Sequence, residues 1–155
     1  MLFRSSTNHA WGDNCDQIYF TDLRTSDMKN RKPNLISTGQ GRTTCSYFMP
    51  GDTSIVYAST HVKSASCPAV AAKRADGKYV WSIYDSYDIF VADLHGKILK
   101  QLTNTPGYDA EATVSPKGDK IVFTSTRSGD LELYTMNTDG SGVKQIRSEE
   151  HTSEL

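Results

Sequence analysis

The stretch that decides the fold occurs twice, first as Phe48-Met-Pro-Gly-Asp-Thr-Ser-Ile-Val-Tyr-Ala-Ser-Thr60 and 66 residues later as Val114-Ser-Pro-Lys-Gly-Asp-Lys-Ile-Val-Phe-Thr-Ser-Thr126. Each copy opens with a proline- and glycine-containing turn. Proline fixes φ and glycine accepts positive φ, so both turns are typical of β-hairpins. The apolar runs that follow, Ile55–Tyr57 and Ile121–Phe123, predict strands that are buried on both faces.

A further strand pattern after each copy sets the period of the repeat. Asp88-Ile-Phe-Val-Ala-Asp93 matches Glu132-Leu-Tyr-Thr-Met-Asn137 at an offset of 44, and Leu102 matches Ile146 at the same offset. One insertion of about 22 residues between Ile55 and Ile89 accounts for the larger offset of the first pair. A period near 44 with several strands per unit is typical of a β-propeller blade.

We therefore predict an all-β fold, an open fragment of a β-propeller with four-stranded antiparallel blades. Residues 1–37 form a partial first blade, residues 38–103 the second blade with a long insertion at 61–86, and residues 104–146 the third. Residues 147–155 are interpreted as a disordered tail, because their sequence resembles a translated sequencing-library adapter. The residues assigned to the hairpin turns are Pro50, Pro116, Gly118 and Gly140.

Composition excludes several classes of function. The 155 residues carry 17 Lys and Arg against 18 Asp and Glu, a net charge of −1, so no nucleic-acid partner is expected. No apolar run approaches the roughly 18 residues that a transmembrane helix needs, so no membrane span is expected. The chain also opens without a basic leader and apolar core, which leaves no visible secretory signal at its start.

Residues Gly107–Gly142 carry a family resemblance. This stretch resembles the TolB-type propeller repeat, with its acidic first strand, its Ser-Pro-Asp-Gly turn and its later Asp-Gly turn, although Lys117 replaces the turn aspartate. The resemblance implies a six-bladed parent, a periplasmic or otherwise secreted location, another protein as the partner, and no cofactor. The second blade departs from the pattern, because Thr43 and Cys45 stand where the third blade has Asp109 and Glu111.

Asp109 and Glu111 are the first candidate binding residues. They lie on the strand expected nearest the propeller axis, where carboxylates would attract a cation or a basic partner. The structural alternative, which we favour, is that one of them pairs with Arg127 or caps the neighbouring turn, since acidic side chains often serve structure and not function.

The long insertion holds the second group of candidates, Tyr79, Trp81 and Tyr84. Exposed aromatic side chains near a loop tip can anchor a partner, and long loops are often functional. Alternatively, these rings pack the insertion back onto its own blade.

The three cysteines leave two pairing states open. Cys45 and Cys67 could form a disulfide that ties the insertion to the second blade in an oxidising compartment, with Cys15 as the odd thiol. The alternative is two independent thiols.

No catalytic residue and no metal site is predicted. The cluster formed by His9, Trp11, Asp13, Cys15 and Asp16 matches no standard metal-ligand spacing, and no nucleophile elbow or phosphate loop is present. The predicted function is a non-catalytic protein-binding platform. Two alternatives stay open, the propeller of a prolyl-oligopeptidase-type serine peptidase whose catalytic domain lies elsewhere, and a TolB-like propeller lyase acting on polysaccharide.

Overall fold

A computed structural model describes residues 4–9, 15–22, 32–70, 72, 74–78 and 82–147, with the backbone alone at 4–9 and 147. Within these residues every regular element is a β-strand, which confirms the all-β prediction. The strands are β1 (Arg4–His9), β2 (Gln17–Asp22), β3 (Asn34–Leu35), β4 (Thr43–Phe48), β5 (Ser54–Ser59), β6 (Asp88–Asp93), β7 (Ile98–Gln101), β8 (Asp109–Val114), β9 (Lys120–Ser125), β10 (Glu132–Asn137) and β11 (Lys144–Arg147).

The strands form three separate antiparallel sheets in chain order. Blade 1 is β1-β2-β3, blade 2 is β4-β5-β6-β7, and blade 3 is β8-β9-β10-β11. Each sheet is a meander in which every strand pairs with the next strand along the chain. The two four-stranded sheets are therefore blades of the predicted kind.

Strand β11 extends one residue past the predicted end of blade 3. The sequence assigned Arg147 to the tail, but its backbone pairs with that of Leu133 in β10. The ladder between these two strands thus continues beyond the last repeated apolar residue. The remainder of the predicted tail, residues 148–155, lies outside the described residues.

The register of the strands makes the two repeat copies structurally equivalent. In blade 2, Ile55 is flanked by Phe48 on β4 and Ala92 on β6. In blade 3, Ile121 is flanked by Val114 on β8 and Met136 on β10, which lie 66 residues after Phe48 and 44 residues after Ala92. Both isoleucines are fully buried. Residues that the sequence aligns at offsets of 66 and 44 therefore occupy equivalent positions in the two blades.

Consecutive blades pack face to face through the same positions of the repeat. Ile18 on β2 and Ile36 after β3 are fully buried in the core between blades 1 and 2. Their counterparts in blade 2, Ile89 and Leu102, are buried in the core between blades 2 and 3. An equivalent pair of aliphatic side chains from each of these two blades thus packs in the core shared with the next blade.

The equivalent pair in blade 3 is not covered. Leu133 is 48% exposed and Ile146 is 54% exposed. Leu131, equivalent to the buried Tyr87 of blade 2, is also 49% exposed. Blade 3 therefore presents to solvent the face that blades 1 and 2 bury.

Two of the predicted turn glycines also form contacts between blades. A Cβ atom at Gly118 would collide with the ring of Pro50, so the first hairpins of blades 2 and 3 touch. A Cβ atom at Gly140 would lie 2.9 Å from the carbonyl oxygen of Leu102, and φ there is +84°. Glycine is required in these turns for two reasons. It adopts the positive φ of the turn, and its lack of a Cβ atom lets the neighbouring blade approach closely.

Candidate functional site

Asp109 is an internal ion-pair partner and not a free channel carboxylate. It begins β8 and is buried, and Nη2 of Arg127 donates to both of its carboxylate oxygens at 3.0 Å. The guanidinium carbon of Arg127 also lies 5.1 Å and 5.0 Å from the ring centroids of Phe123 and Tyr134. The charge of Asp109 is thus neutralised inside blade 3, in agreement with the structural alternative drawn from the sequence.

Blade 2 lacks both members of this ion pair. Thr43 stands at the position of Asp109, and its hydroxyl donates to the carbonyl oxygen of Asp16 at 2.8 Å. His61 stands at the position of Arg127, with its ring 4.5 Å from that of Phe90 and Nδ1 2.8 Å from Oγ of Ser59. Burial lowers the pKa of His61, which favours the neutral ring at this position.

Glu111 lies on a β-bulge of the first strand of blade 3. Its φ is +51°, and the pairing of β8 with β9 shifts around it. The hydroxyl of Tyr108 donates to its carboxylate, and the side chain remains half-buried. Cys45 lies on the corresponding bulge of blade 2 with φ of +41°. Bulges can redirect a side chain relative to the regular pleat, and here the same position is redirected in both blades.

Tyr84 packs the insertion onto the body of the protein. Its ring centroid lies 6.1 Å from that of Tyr87, which lies 5.5 Å from that of Tyr108 on the other side. The Tyr84 hydroxyl donates to the carbonyl oxygen of Ala69 at 2.9 Å. This part of the insertion therefore follows the packing alternative. The other two aromatic candidates, Tyr79 and Trp81, lie outside the described residues.

The predicted disulfide between Cys45 and Cys67 is wrong. Cys67 bonds to Cys15, with 5.5 Å between their Cα atoms, and Cys45 is the free cysteine. Cys45 sits on the bulge, and its sulfur lies 3.4 Å from Oγ1 of Thr44. The backbone N–H of Thr43 donates to the carbonyl of Asp16 at 3.0 Å, which brings the start of β2 alongside β4. Cys15 thereby reaches the insertion, a contact between blades that spacing within one blade does not reveal.

Sequence reasoning missed a groove between the first hairpins of blades 2 and 3. It has a volume of about 240 Å³ and opens to solvent. Tyr47, at the end of β4, is 48% exposed on its wall, while Asp52 and Lys117 contribute one charge of each sign to the lining. The remaining lining residues are Phe48, Met49, Pro50, Val114, Ser115, Pro116 and Gly118.

Only the repeated Pro and Gly turns could have indicated this groove. Each turn reads from the sequence as an isolated hairpin, whereas the groove forms where Gly118 approaches Pro50 across the blade boundary. Its walls come from hairpins 66 residues apart. Apolar side chains from both hairpins share its walls with charged and polar groups, so the groove is a concave surface of mixed polarity.

Two wider features bear on the chemistry. Among the described residues, no group of three His, Cys, Asp or Glu side chains is placed to hold a metal ion. Over the same residues, no helix has the length and apolar character needed to span a bilayer.

Known proteins resemble the chain in sequence and in fold. The model of the TolB β-propeller domain matches residues 67–154. The Tol-Pal system protein TolB of Bordetella pertussis is 40% identical over 45 residues, which is 29% of this chain and 10% of that protein. The uncharacterized protein Atu1656 of Agrobacterium fabrum is 32% identical over 60 residues, 39% of this chain and 20% of that protein.

Two solved structures share the fold. TolB from Acinetobacter baumannii superimposes with a TM-score of 0.63 at 21% identity, covering 93% of this chain and 29% of that one. A TolB-type protein of Agrobacterium tumefaciens gives the same TM-score and identity over 94% of this chain and 42% of that one. The chain thus spans less than half the length of either structure. The family model matches more than half of the chain, so the chain belongs to the TolB β-propeller family.

Proposed function

We propose that this chain is a non-catalytic protein-binding segment of a larger propeller that acts outside the cytoplasm. The groove between the hairpins of blades 2 and 3 is the observation that carries the proposal. It is concave, it is exposed, its lining combines apolar rings with charged and polar groups, and it lies where two blades of a repeat meet. Such a groove has room for a single side chain presented by an extended segment of a partner protein.

The location has independent support. Cys15 and Cys67 form a disulfide, and disulfides persist in oxidising compartments such as the periplasm. The related Bordetella protein is named as a component of the Tol-Pal system. We propose that the partner of this chain is likewise a protein of that system.

The test is binding of purified Bordetella pertussis Pal to the full chain, measured by biolayer interferometry. Tyr47→Ala is expected to weaken binding about tenfold, because interface aromatic residues in pockets are typical hot spots. Leu99→Ala is the matched control, since Leu99 is 54% exposed on the outer strand of blade 2 and lies away from the groove. Equal affinity of the two variants, or no binding of Pal, would contradict the proposal.

The two enzymatic alternatives gain no supporting observation. The lyase alternative calls for histidines converging on a metal, and no such group is found in the described part of the chain. The peptidase alternative places its catalytic residues in another domain. Reading the gene on both sides of this segment tests it, because a downstream Gly-x-Ser-x-Gly elbow would favour the peptidase.

A further inference from the structure

We propose that Cys67 is a site of thiol–disulfide exchange, and that exchange there loosens the middle of the insertion while both of its ends stay attached to the body of the protein. The two sulfurs of the Cys15–Cys67 bond belong to residues of opposite accessibility. Cys15 is 5% exposed and lies two residues before the start of β2, whereas Cys67 is an exposed residue of the insertion. An attacking thiolate needs an open approach to one sulfur, so the accessible side is that of Cys67.

The reaction follows from this asymmetry. A thiolate of a small-molecule thiol or of a dithiol protein attacks Sγ of Cys67, and a new S–S bond forms between the two. The bond to Cys15 breaks, and its electron pair leaves on Sγ of Cys15, which takes a proton from water. If the reagent is a dithiol, its second thiolate then attacks the mixed disulfide, leaving Cys67 reduced and the dithiol oxidised to a disulfide.

The consequence depends on what else holds the insertion. Before Cys67, the backbone N–H of Gly41 donates to the carbonyl of Ala65 at 2.8 Å, and the N–H groups of Lys63 and Ser64 donate to the carbonyl of Thr60. These bonds keep the first part of the insertion in place without the disulfide.

The part beyond Cys67 has fewer attachments. In the described stretches 68–70, 72 and 74–78, no hydrogen bond or ion pair reaches a blade strand, and the Arg74–Asp76 ion pair is internal to the insertion. Tyr84 attaches its far end through the ring of Tyr87 and bonds back to Ala69. Breaking the Cys15–Cys67 bond therefore leaves these described residues held only through the Ala65 end and the Tyr84 end of the insertion.

The first test identifies the sulfur that is attacked. The oxidised full chain carrying Cys45→Ser, which removes the free thiol, is treated with reduced glutathione, quenched with acid and mapped by mass spectrometry. The glutathione adduct is expected on Cys67 in about tenfold excess over Cys15, because the buried sulfur is shielded. The same protein unfolded in guanidinium should show both adducts. An even distribution in the folded protein, an excess on Cys15, or no adduct where the unfolded chain reacts would overturn the assignment.

The second test measures loosening of the middle of the insertion. Arg74 and Lys78 are exposed trypsin sites within it, and Lys117 is an exposed site on the first hairpin of blade 3. Reduction is expected to accelerate cleavage after Arg74 and Lys78 about tenfold while cleavage after Lys117 stays unchanged, since the loosening is local. The double variant Cys15→Ser/Cys67→Ser should match the reduced protein. Unchanged cleavage at Arg74 and Lys78, or equal acceleration at Lys117, would overturn the local loosening.

Discussion

Asp109 and Arg127 form an ion pair in blade 3, and the corresponding residues of blade 2, Thr43 and His61, form none. Both charges are absent together in blade 2. This is the arrangement expected if either charge alone would be costly, because a buried charge without its partner destabilises a fold more than a neutral pair does.

The single variant Asp109→Thr is accordingly expected to lower the free energy of unfolding by about 2–3 kcal/mol, because it leaves the guanidinium of Arg127 unpaired in a mostly buried position. The double variant Asp109→Thr/Arg127→His copies the residues of blade 2 and should recover part of that loss. Urea unfolding of the wild type, Asp109→Thr, Arg127→His and the double variant measures the coupling free energy between the two residues. Additive effects of the two substitutions would contradict the interpretation.

The buried hydroxyl of Tyr57 lowers the stability of the fold. The side chain is fully buried, and its oxygen has no hydrogen-bond partner among the described residues. Burial also raises the pKa of Tyr57 to about 12. Phe123 holds the equivalent position of blade 3 without a hydroxyl, so the site accommodates a plain ring.

We predict that Tyr57→Phe raises the free energy of unfolding by about 1 kcal/mol, because it removes a desolvated hydroxyl without leaving a cavity. Tyr84→Phe is the control and should be neutral or destabilising, since the Tyr84 hydroxyl donates to the carbonyl oxygen of Ala69. Both are measured by urea denaturation. A loss of stability in Tyr57→Phe would show that the hydroxyl has a partner after all.

At the scale of elements, the two ends of β6 carry aspartates with opposite pKa shifts. Burial, with a smaller contribution from the charge of Asp109, raises the pKa of Asp88 to about 6. Hydrogen bonds from Thr103 and Gln101 and the charge of Lys63 act in the opposite direction. At the other end of β6, backbone N–H bonds from Lys97 and His95 lower the pKa of Asp93. The fold disfavours the charge on Asp88 and favours the charge on Asp93.

These shifts predict opposite dependences on pH. The unfolded chain ionises Asp88 near pH 4 but the folded chain does so only near pH 6, so this group reduces stability progressively as the pH rises through that interval. Asp88→Asn should therefore stabilise the protein at pH 7, by on the order of 2 kcal/mol, with a gain that disappears by pH 4. Asp93→Asn should destabilise it at pH 7, with a loss that shrinks as the pH falls. Urea titrations at pH 4, 5, 6 and 7 measure both, and a pH-independent effect of Asp88→Asn would contradict the assignment.

The elements themselves were largely predictable, and their mutual contacts were not. Offsets of 66 and 44 place Ile55 and Ile121 correctly, because strand register within a blade follows from short-range pattern and turn chemistry. The partner of Cys67 was mispredicted, because Cys15 reaches it across a blade boundary. The groove lined by Tyr47 was missed for the same reason, since its walls come from two blades.

On the scale of the whole molecule, the exposed face of blade 3 dictates how this chain behaves by itself. Leu133 and Ile146 hold the positions that Ile89 and Leu102 bury in blade 2. An exposed apolar face of this kind promotes association. We therefore expect the isolated chain to self-associate through this face.

Leu133→Thr/Ile146→Thr is expected to reduce that self-association and to leave the fold intact, because neither side chain is buried. Leu99→Thr is the matched control, as Leu99 is equally exposed on an outer strand and does not belong to the face between blades. Multi-angle light scattering over a range of concentrations gives the mass of each variant. A monomeric wild type with a sharp cooperative melt would contradict the prediction.

The side chains that join the blades connect each blade to the next one along the chain. Ile18 and Ile36 pack against blade 2, and Ile89 and Leu102 pack against blade 3, so each pair joins one blade to the next along the chain. Each docking step thus involves only the sheet just completed and the one that follows it. Because the ribosome delivers the blades in chain order, each new blade can dock onto one that has already folded, so these blades can assemble one after another during translation.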